Sequence, residues 1–419
     1  MIPSTSSLGA SVPVKREQPR RKETSTNESS WQQRTDHFPL DKAGEYKKYP
    51  MVTANQLRTR KERPRKVKML MRDFIEDSLY NPSYGYFSKQ AIIFTPGEPF
   101  DFTKLPDDAA FQTELGRRYT EFEDKLDEKE YDATRQVWHT PTELFRPYYG
   151  EAVARHLVSN YKLSLYPYHD LLIYEMGAGN GTLMLNILDY IRDADPEVYA
   201  RTKFRVIEVS TALAALQSQQ LQKTLNSRGH ADKVTIINKS IFDWDEYVSS
   251  PVFFLAMEVF DNFGHDIIRY DHETEQPLQG VVLIDADGEF FEFETAEIDP
   301  VAARFLRVRE AACAGRPFNY PLRGSRTLRR LKSSLPLAYN LSEPEYIPTR
   351  LMNFFDVLRE YFPNHKLISS DFHALPDAIK GVNSPVVQTR YKRRMVPVRT
   401  PLVRESEMIV LKMKLVKMC

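Results

Sequence analysis

From about residue 170 the chain alternates short apolar runs with longer stretches whose apolar residues recur every three or four positions. Leu171, Leu172, Ile173 and Tyr174 form a turn-free run of strand length. Leu183, Met184, Ile187, Leu188 and Ile191 follow at helical spacing. FRVIEVS (204–210) predicts a second strand and TALAALQSQQLQKTL its helix; KVTIINKSIFDWD and PVFFLAMEVFDNFG carry a third and a fourth strand. Such alternation argues an α/β fold built on a parallel sheet. Later, VVLIDADGEFFEFET (281–295) predicts a hairpin turning at Asp287-Gly288, RLMNFFDVLREYF (350–362) an amphipathic helix, HKLISSDF a strand, and PVVQTRYKRRMVPVRT an antiparallel pair.

The first half is less regular. Residues 1–50 are rich in Ser, Thr, Lys, Arg and Pro and read as a disordered tail or a transit segment, although Glu17, Glu23 and Glu28 fit a transit peptide poorly. The basic run Arg58 to Lys68 reads as a solvated linker rather than a nucleic-acid patch, because aromatics are not interleaved with it. Met71, Phe74, Ile75 and Leu79 share a helical face within 69–80, and Asn81-Pro82 ends that helix. The aromatic cluster Tyr84-Gly85-Tyr86-Phe87 suits either core packing or the face of a cationic cofactor. Residues 97–139 are polar and read as a surface insertion; Thr140-Pro141 with Glu143 marks a helix start, the helix carrying Leu144 to Val158.

The expected organisation is therefore a tail at 1–50, a helical N-terminal subdomain at 51–165, a core at 166–405 with an Arg-rich insertion near 300–345, and a tail at 406–419. Net charge is +1, so no global field recruits nucleic acid. Two cysteines make no disulfide framework, no apolar run has the length of a membrane span, and no cluster has zinc-ligand spacing.

The chemistry concentrates at EMGAGNGT (175–182). A dinucleotide fingerprint is G-x-G-x-x-G; here Gly181 arrives one residue early, and Glu175 points an anion toward the turn. That suits a ligand carrying an ammonium and a sulfonium, S-adenosylmethionine, better than pyrophosphate, and argues against an NAD-dependent oxidoreductase. Glu208, at the end of the second strand, is placed to accept from ribose hydroxyls, and Asp243 to take an adenine amino group. The expected cofactor set is Glu175, Gly177, Ala178, Gly179, Gly181, Glu208, Val209, Asp243 and Tyr86. Glu258 and Asp261, just past the fourth strand, are the candidate pair for gripping a guanidinium through bidentate hydrogen bonds, with Tyr84 and Tyr86 closing the other side.

MRDFIEDSLYNPSYGYFSK (71–89), TPTELF (140–145), EMGAGNGTLM (175–184), RVIEVSTALAALQ (205–217) and AMEVFDNFG (256–264), in this order, resemble the MidA-like arginine methyltransferases, the mitochondrial complex I assembly factors. The resemblance implies a class I, Rossmann-like methyltransferase fold and S-adenosyl-L-methionine as cofactor. It also implies symmetric dimethylation of arginine in a protein substrate, a complex I subunit being a candidate, in the mitochondrial matrix. The sequence departs from the family at Ala178, Asn180, Val259, Asn262, Phe263 and Gly264, and Ser370-Asp371-Phe372 stands where the family has Asp-Tyr-Gly. Residues from 346 on resemble a divergent fungal-type branch. The altered fourth-strand motif keeps a second reading open, a methyltransferase-fold assembly factor with weak or no activity.

Overall fold

The computed structural model describes residues 42–89, 91–209, 221–313, 321–322, 325–333, 340–372, 386–398 and 412–414. In chain order the strands are β1 (Val67–Leu70), β2 (Ala91–Ile93), β3 (Gln136–Trp138), β4 (Leu171–Met176), β5 (Thr202–Glu208), β6 (Val234–Asn238), β7 (Val252–Met257) and β8 (Asp266–Tyr270). They continue with β9 (Pro277–Ile284), β10 (Phe290–Thr295), β11 (Glu345–Ile347), β12 (His365–Ser370), β13 (Val386–Tyr391), β14 (Arg394–Val398) and β15 (Lys412–Lys414).

The sheet foreseen from the alternating pattern is there, running β12-β7-β4-β5-β6 with every neighbour parallel. Its inner strand β7 is buried from Val252 to Ala256, as an apolar run without alternation demands. Helices Tyr148–Ser164 and Thr182–Ala194 cover one face. The second of these buries Leu183, Met184, Leu185, Ile187, Leu188 and Ile191, aliphatic side chains worth about 1.5–3 kcal/mol each when sealed from water. Helix Thr349–Tyr361 covers the other face through Phe354 and Leu358. From β4 the chain winds outward to β5 and β6, then returns to lay β7 and β12 on the opposite side. The strand order thus reverses between β4 and β7, and a crevice opens beyond the carboxyl ends at that point.

A second sheet is antiparallel. β9 pairs with β10 along one edge; its other edge is shared by β1 at Val281–Ile284 and by β8, which also pairs β11. The 281–295 hairpin forms as expected, and β13 with β14 forms the expected antiparallel pair, to which β15 adds.

Several boundaries differ from the sequence expectation. The run 69–80 is not helical throughout: Val67–Leu70 is extended because it completes the β9 edge, and the helix is Met71–Tyr80. The division at 165/166 is crossed by that same β1–β9 pairing, so residues 67–80 share a core with Ile267, Val282 and Ile284. Residues 97–139 contain the helix Asp108–Asp127, capped by Asp107, over an aromatic core of Phe94, Phe100, Leu115, Val137 and Leu144. Thr140 caps the short helix Pro141–Leu144 by accepting from Glu143 N, but the chain breaks at Pro147 before the longer helix Tyr148–Ser164 begins. Within the expected N-terminal tail, Ala43–Lys48 is a helix whose Tyr46 stacks on Phe293 with ring centroids 4.5 Å apart; the rest of 1–41 lies outside the described residues. Residues 210–220 of the helix expected after β5 also lie outside them, and 221–228 are helical. The expected tail at 406–419 lies outside the described residues except for β15.

Candidate active site

The turn after β4 is built on left-handed backbone. Gly179 (φ +54°) and Gly181 (φ +75°) adopt angles that side chains resist, and a Cβ on Gly179 would lie 2.7 Å from Ile93 Cδ1. Gly181 then starts the helix Thr182–Ala194, its N–H donating to Ala178 O at 2.8 Å. The turn is held in place by Gly177 N donating to Ile207 O and by Glu143, whose carboxylate accepts from Thr182 Oγ1 at 2.6 Å and Asn180 Nδ2 at 3.2 Å.

Above the turn lies a cavity of about 340 Å³. Its walls come from the carboxyl ends of the parallel strands: Met176, Gly177 and Gly179 after β4; Ile207, Glu208 and Val209 after β5; Ser240, Phe242 and Asp243 after β6; Met257, Glu258 and Val259 after β7. The remaining wall comes from far away in sequence: Ala54, Asn55 and Arg58; Glu76, Asp77 and Tyr80 of the helix Met71–Tyr80, with Asn81 just after it; Tyr86, Ile93 and Trp138; and Arg350.

Four of the expected cofactor residues, Gly177, Gly179, Glu208 and Val209, meet on this wall, Val209 N donating to Glu208 Oε1 at 3.1 Å. Tyr86 joins them, 3% exposed, and its hydroxyl finds no partner among the described residues. Ala178 packs against the core on the helix side. Asp243 lines the cavity, but its Oδ2 already accepts from Arg58 Nη1 at 2.5 Å, so the strap at 54–58 is pinned over the place foreseen for an adenine amino group. Glu175, just before the wall residues, is buried; Oε2 has no hydrogen-bond partner among the described residues. Burial, reinforced by the neighbouring charge of Glu208, pushes its carboxyl up to about 8.

The two proposed guanidinium acids are separated. Glu258 lines the cavity and holds a left-handed backbone (φ 54°), a strain of about 1–3 kcal/mol that non-glycine residues tolerate mainly at functional sites. Its N–H donates to Ser370 O at 2.8 Å. Asp261 is not part of the wall: it is 2% exposed, and its Oδ1 accepts from Asn262 Nδ2 at 2.6 Å while its own N–H donates to Asp371 Oδ2 at 3.2 Å. It lies in the short turn Phe260–Asn262. Tyr84 is not part of the wall either; it donates to both oxygens of the wall residue Asp77 at 2.9 Å.

Residues 152–407 match the family described as "Putative S-adenosyl-L-methionine-dependent methyltransferase". The chain belongs to that family. S-adenosylmethionine is its cofactor, and the doubly wound sheet is the class I methyltransferase fold. Among curated proteins, the chain is 24% identical over 334 residues, 76% of its length and 67% of the relative's, to a Schizosaccharomyces pombe protein named "Protein arginine methyltransferase NDUFAF7 homolog, mitochondrial". Among solved structures it is similar to a Burkholderia thailandensis protein described as a likely methyl transferase and crystallised with S-adenosyl-homocysteine (17% identity, 65% of this chain, 54% of that one, TM-score 0.38). A native crystal structure of an uncharacterised protein from the same organism matches at 17% identity over 57% of this chain and 46% of that one, with a TM-score of 0.34. The chain thus spans about half the length of these two solved structures.

The residues present fit the family's cofactor. The buried Glu175 oxygen without a partner and the carboxylate of Glu208 suit an ammonium and ribose hydroxyls, and Gly177 and Gly179 present backbone without side chains to the cavity. The far wall, Glu76 to Asn81 above all, was not among the expected site residues. A signal existed: Asp73, Glu76, Asp77 and Tyr80 recur at helical spacing on a segment whose other face is apolar.

Proposed function

We propose that this methyltransferase acts on arginine side chains of a protein substrate, forming symmetric dimethylarginine in the mitochondrial matrix in support of complex I assembly. The carrying observation is the chemistry of the cavity: Glu76, Asp77, Glu208, Asp243 and Glu258 line it against Arg58 and Arg350, so acids outnumber bases and the site suits a cation. The name of the fission-yeast relative supports arginine, a protein substrate and the mitochondrion; the motif resemblance supports the symmetric product and the complex I role.

S-adenosylmethionine, when bound, supplies an electrophilic methyl group on a sulfonium. Glu175 would hold its ammonium, Glu208 its ribose hydroxyls, and Tyr86 would shield the site from water. The guanidinium is a delocalised cation and a poor nucleophile. Glu258 would orient one nitrogen, offset its charge, and accept the proton that nitrogen loses as its bond to carbon forms.

The test is methylation of mitochondrial protein extract, read as symmetric dimethylarginine. Glu258→Gln is expected to lower turnover about a hundredfold, on the order of the 2.7–4 kcal/mol lost with one stabilising group, with S-adenosylhomocysteine affinity kept. Asp261→Asn, altering a buried carboxylate already bonded to Asn262, should leave turnover within a few-fold. Full activity in Glu258→Gln would refute its role. One observation favours a second reading, an assembly factor without turnover: of the paired acids expected after β7, only Glu258 reaches the cavity. A wild-type protein that binds cofactor yet methylates no extract would select that reading.

A further inference from the structure

The cavity already contains a guanidinium. Arg350, the second residue of the helix Thr349–Tyr361, extends along its wall; Nε donates to Glu76 Oε2 at 2.6 Å and Nη2 contacts the same oxygen. Its Cζ lies 4.9 Å from the centroid of the Phe242 ring, and its N–H donates to Gly264 O at 3.4 Å. Both contacts fall on Oε2, so Glu76 Oε1 carries no hydrogen bond among the described residues. Each of the two side chains is 17% exposed. Burial works against the Glu76 charge, and Arg350 is the largest influence restoring it.

We propose that Glu76 is the second carboxylate of the substrate guanidinium site, and that Arg350 is the positioning residue that keeps it charged and oriented. This rests on the arginine reading above and gives it a residue in place of Asp261. Arg350 is fixed by stacking, by its backbone bond and by two contacts to one oxygen, which leaves Oε1 to receive a guanidinium N–H. Asp77, the other acid of this helix on the wall, is committed to Asn81 and Tyr84.

The experiment is calorimetric binding of N-acetyl-arginine methylamide to the full chain saturated with S-adenosylhomocysteine, which requires no turnover. Glu76→Gln is expected to weaken that binding at least about tenfold, the range of a lost hydrogen bond to a charged group, with S-adenosylhomocysteine affinity unchanged; Glu76→Asp, which keeps the charge, serves if the amide variant does not fold. Arg350→Met supplies the readout that a merely structural pair would not move. Without the guanidinium the partly buried Glu76 holds its proton to higher pH, so the pH midpoint of arginine-ligand binding should rise, and Arg350→Lys should return it toward wild type. Wild-type affinity in both Glu76 variants, an unmoved midpoint in Arg350→Met, or no binding by the wild type would each overturn the assignment. Binding that follows this pattern in a protein that methylates nothing would instead refute the catalytic reading and leave the site standing.

Discussion

A carboxyl group sealed beneath a glycine turn has no water to stabilise its charge, and Glu175 illustrates the consequence. Its carboxyl is pushed up to about 8 by burial and by Glu208, so the cofactor-free protein carries it largely protonated at neutral pH. Between the ordinary Glu value of about 4.3 and this raised one, the folded chain binds a proton that the unfolded chain does not, so this group's contribution to stability declines as pH rises. A cationic ligand reverses the preference by favouring the carboxylate. Binding of S-adenosylhomocysteine, through its ammonium, should therefore release a proton below about pH 8 and strengthen as pH rises toward that value, levelling off above it. Calorimetry in buffers of different ionisation enthalpy measures that proton; Glu175→Gln should bind more weakly and lose the pH dependence. At Gly179 the obstacle to a side chain is backbone angle. Ile93 Cδ1 can swing aside, but φ +54° remains unfavourable for any β-branched residue. Gly179→Val should abolish cofactor binding while circular dichroism stays that of the wild type.

At the level of elements, the site depends on how firmly the strand ends are covered. Helix Thr349–Tyr361 delivers Arg350 to the cavity and Phe354 to the core, where that ring meets Phe254 at 5.6 Å, Phe260 at 5.3 Å and Phe263 at 5.8 Å between centroids. Phe254 belongs to β7, and Phe260 and Phe263 flank the turn after Glu258, so one aromatic cluster couples helix, strand and site. Phe354→Ala should cost about 3–5 kcal/mol, the price of a large core deletion, seen as a lower denaturant midpoint with an unchanged slope.

For the whole molecule, the cofactor sheet and the antiparallel sheet are joined by chain drawn from both ends. β1 and the helix that follows it supply one edge of β9 and one wall of the cavity. A chain shortened to begin at residue 166 would leave Val281, Val282, Leu283 and Ile284 with an unpaired edge, an aggregation hazard. Such a fragment should be insoluble or bind no S-adenosylhomocysteine, and co-expression with residues 42–165 should restore solubility. A soluble fragment with full cofactor affinity would show that the N-terminal segment is dispensable to the site.

Local pattern carried the parallel sheet, because strands buried on both faces and the helices between them leave periodicities that neighbouring residues alone can establish. Leu171–Tyr174, Val252–Leu255 and the glycines at 177–181 were legible for that reason, and with them Glu175, Glu208 and Glu258 at strand ends. Three features needed the folded chain. Val67–Leu70 is a strand because β9 offers it an edge, a long-range pairing with no local signature. Asp261 and Glu258 stand three apart on the chain, yet one is buried beside Asn262 and the other lines the cavity wall. Glu76 faces a guanidinium 274 residues away, and only tertiary packing brings a helix from one end of the chain against a helix from the other.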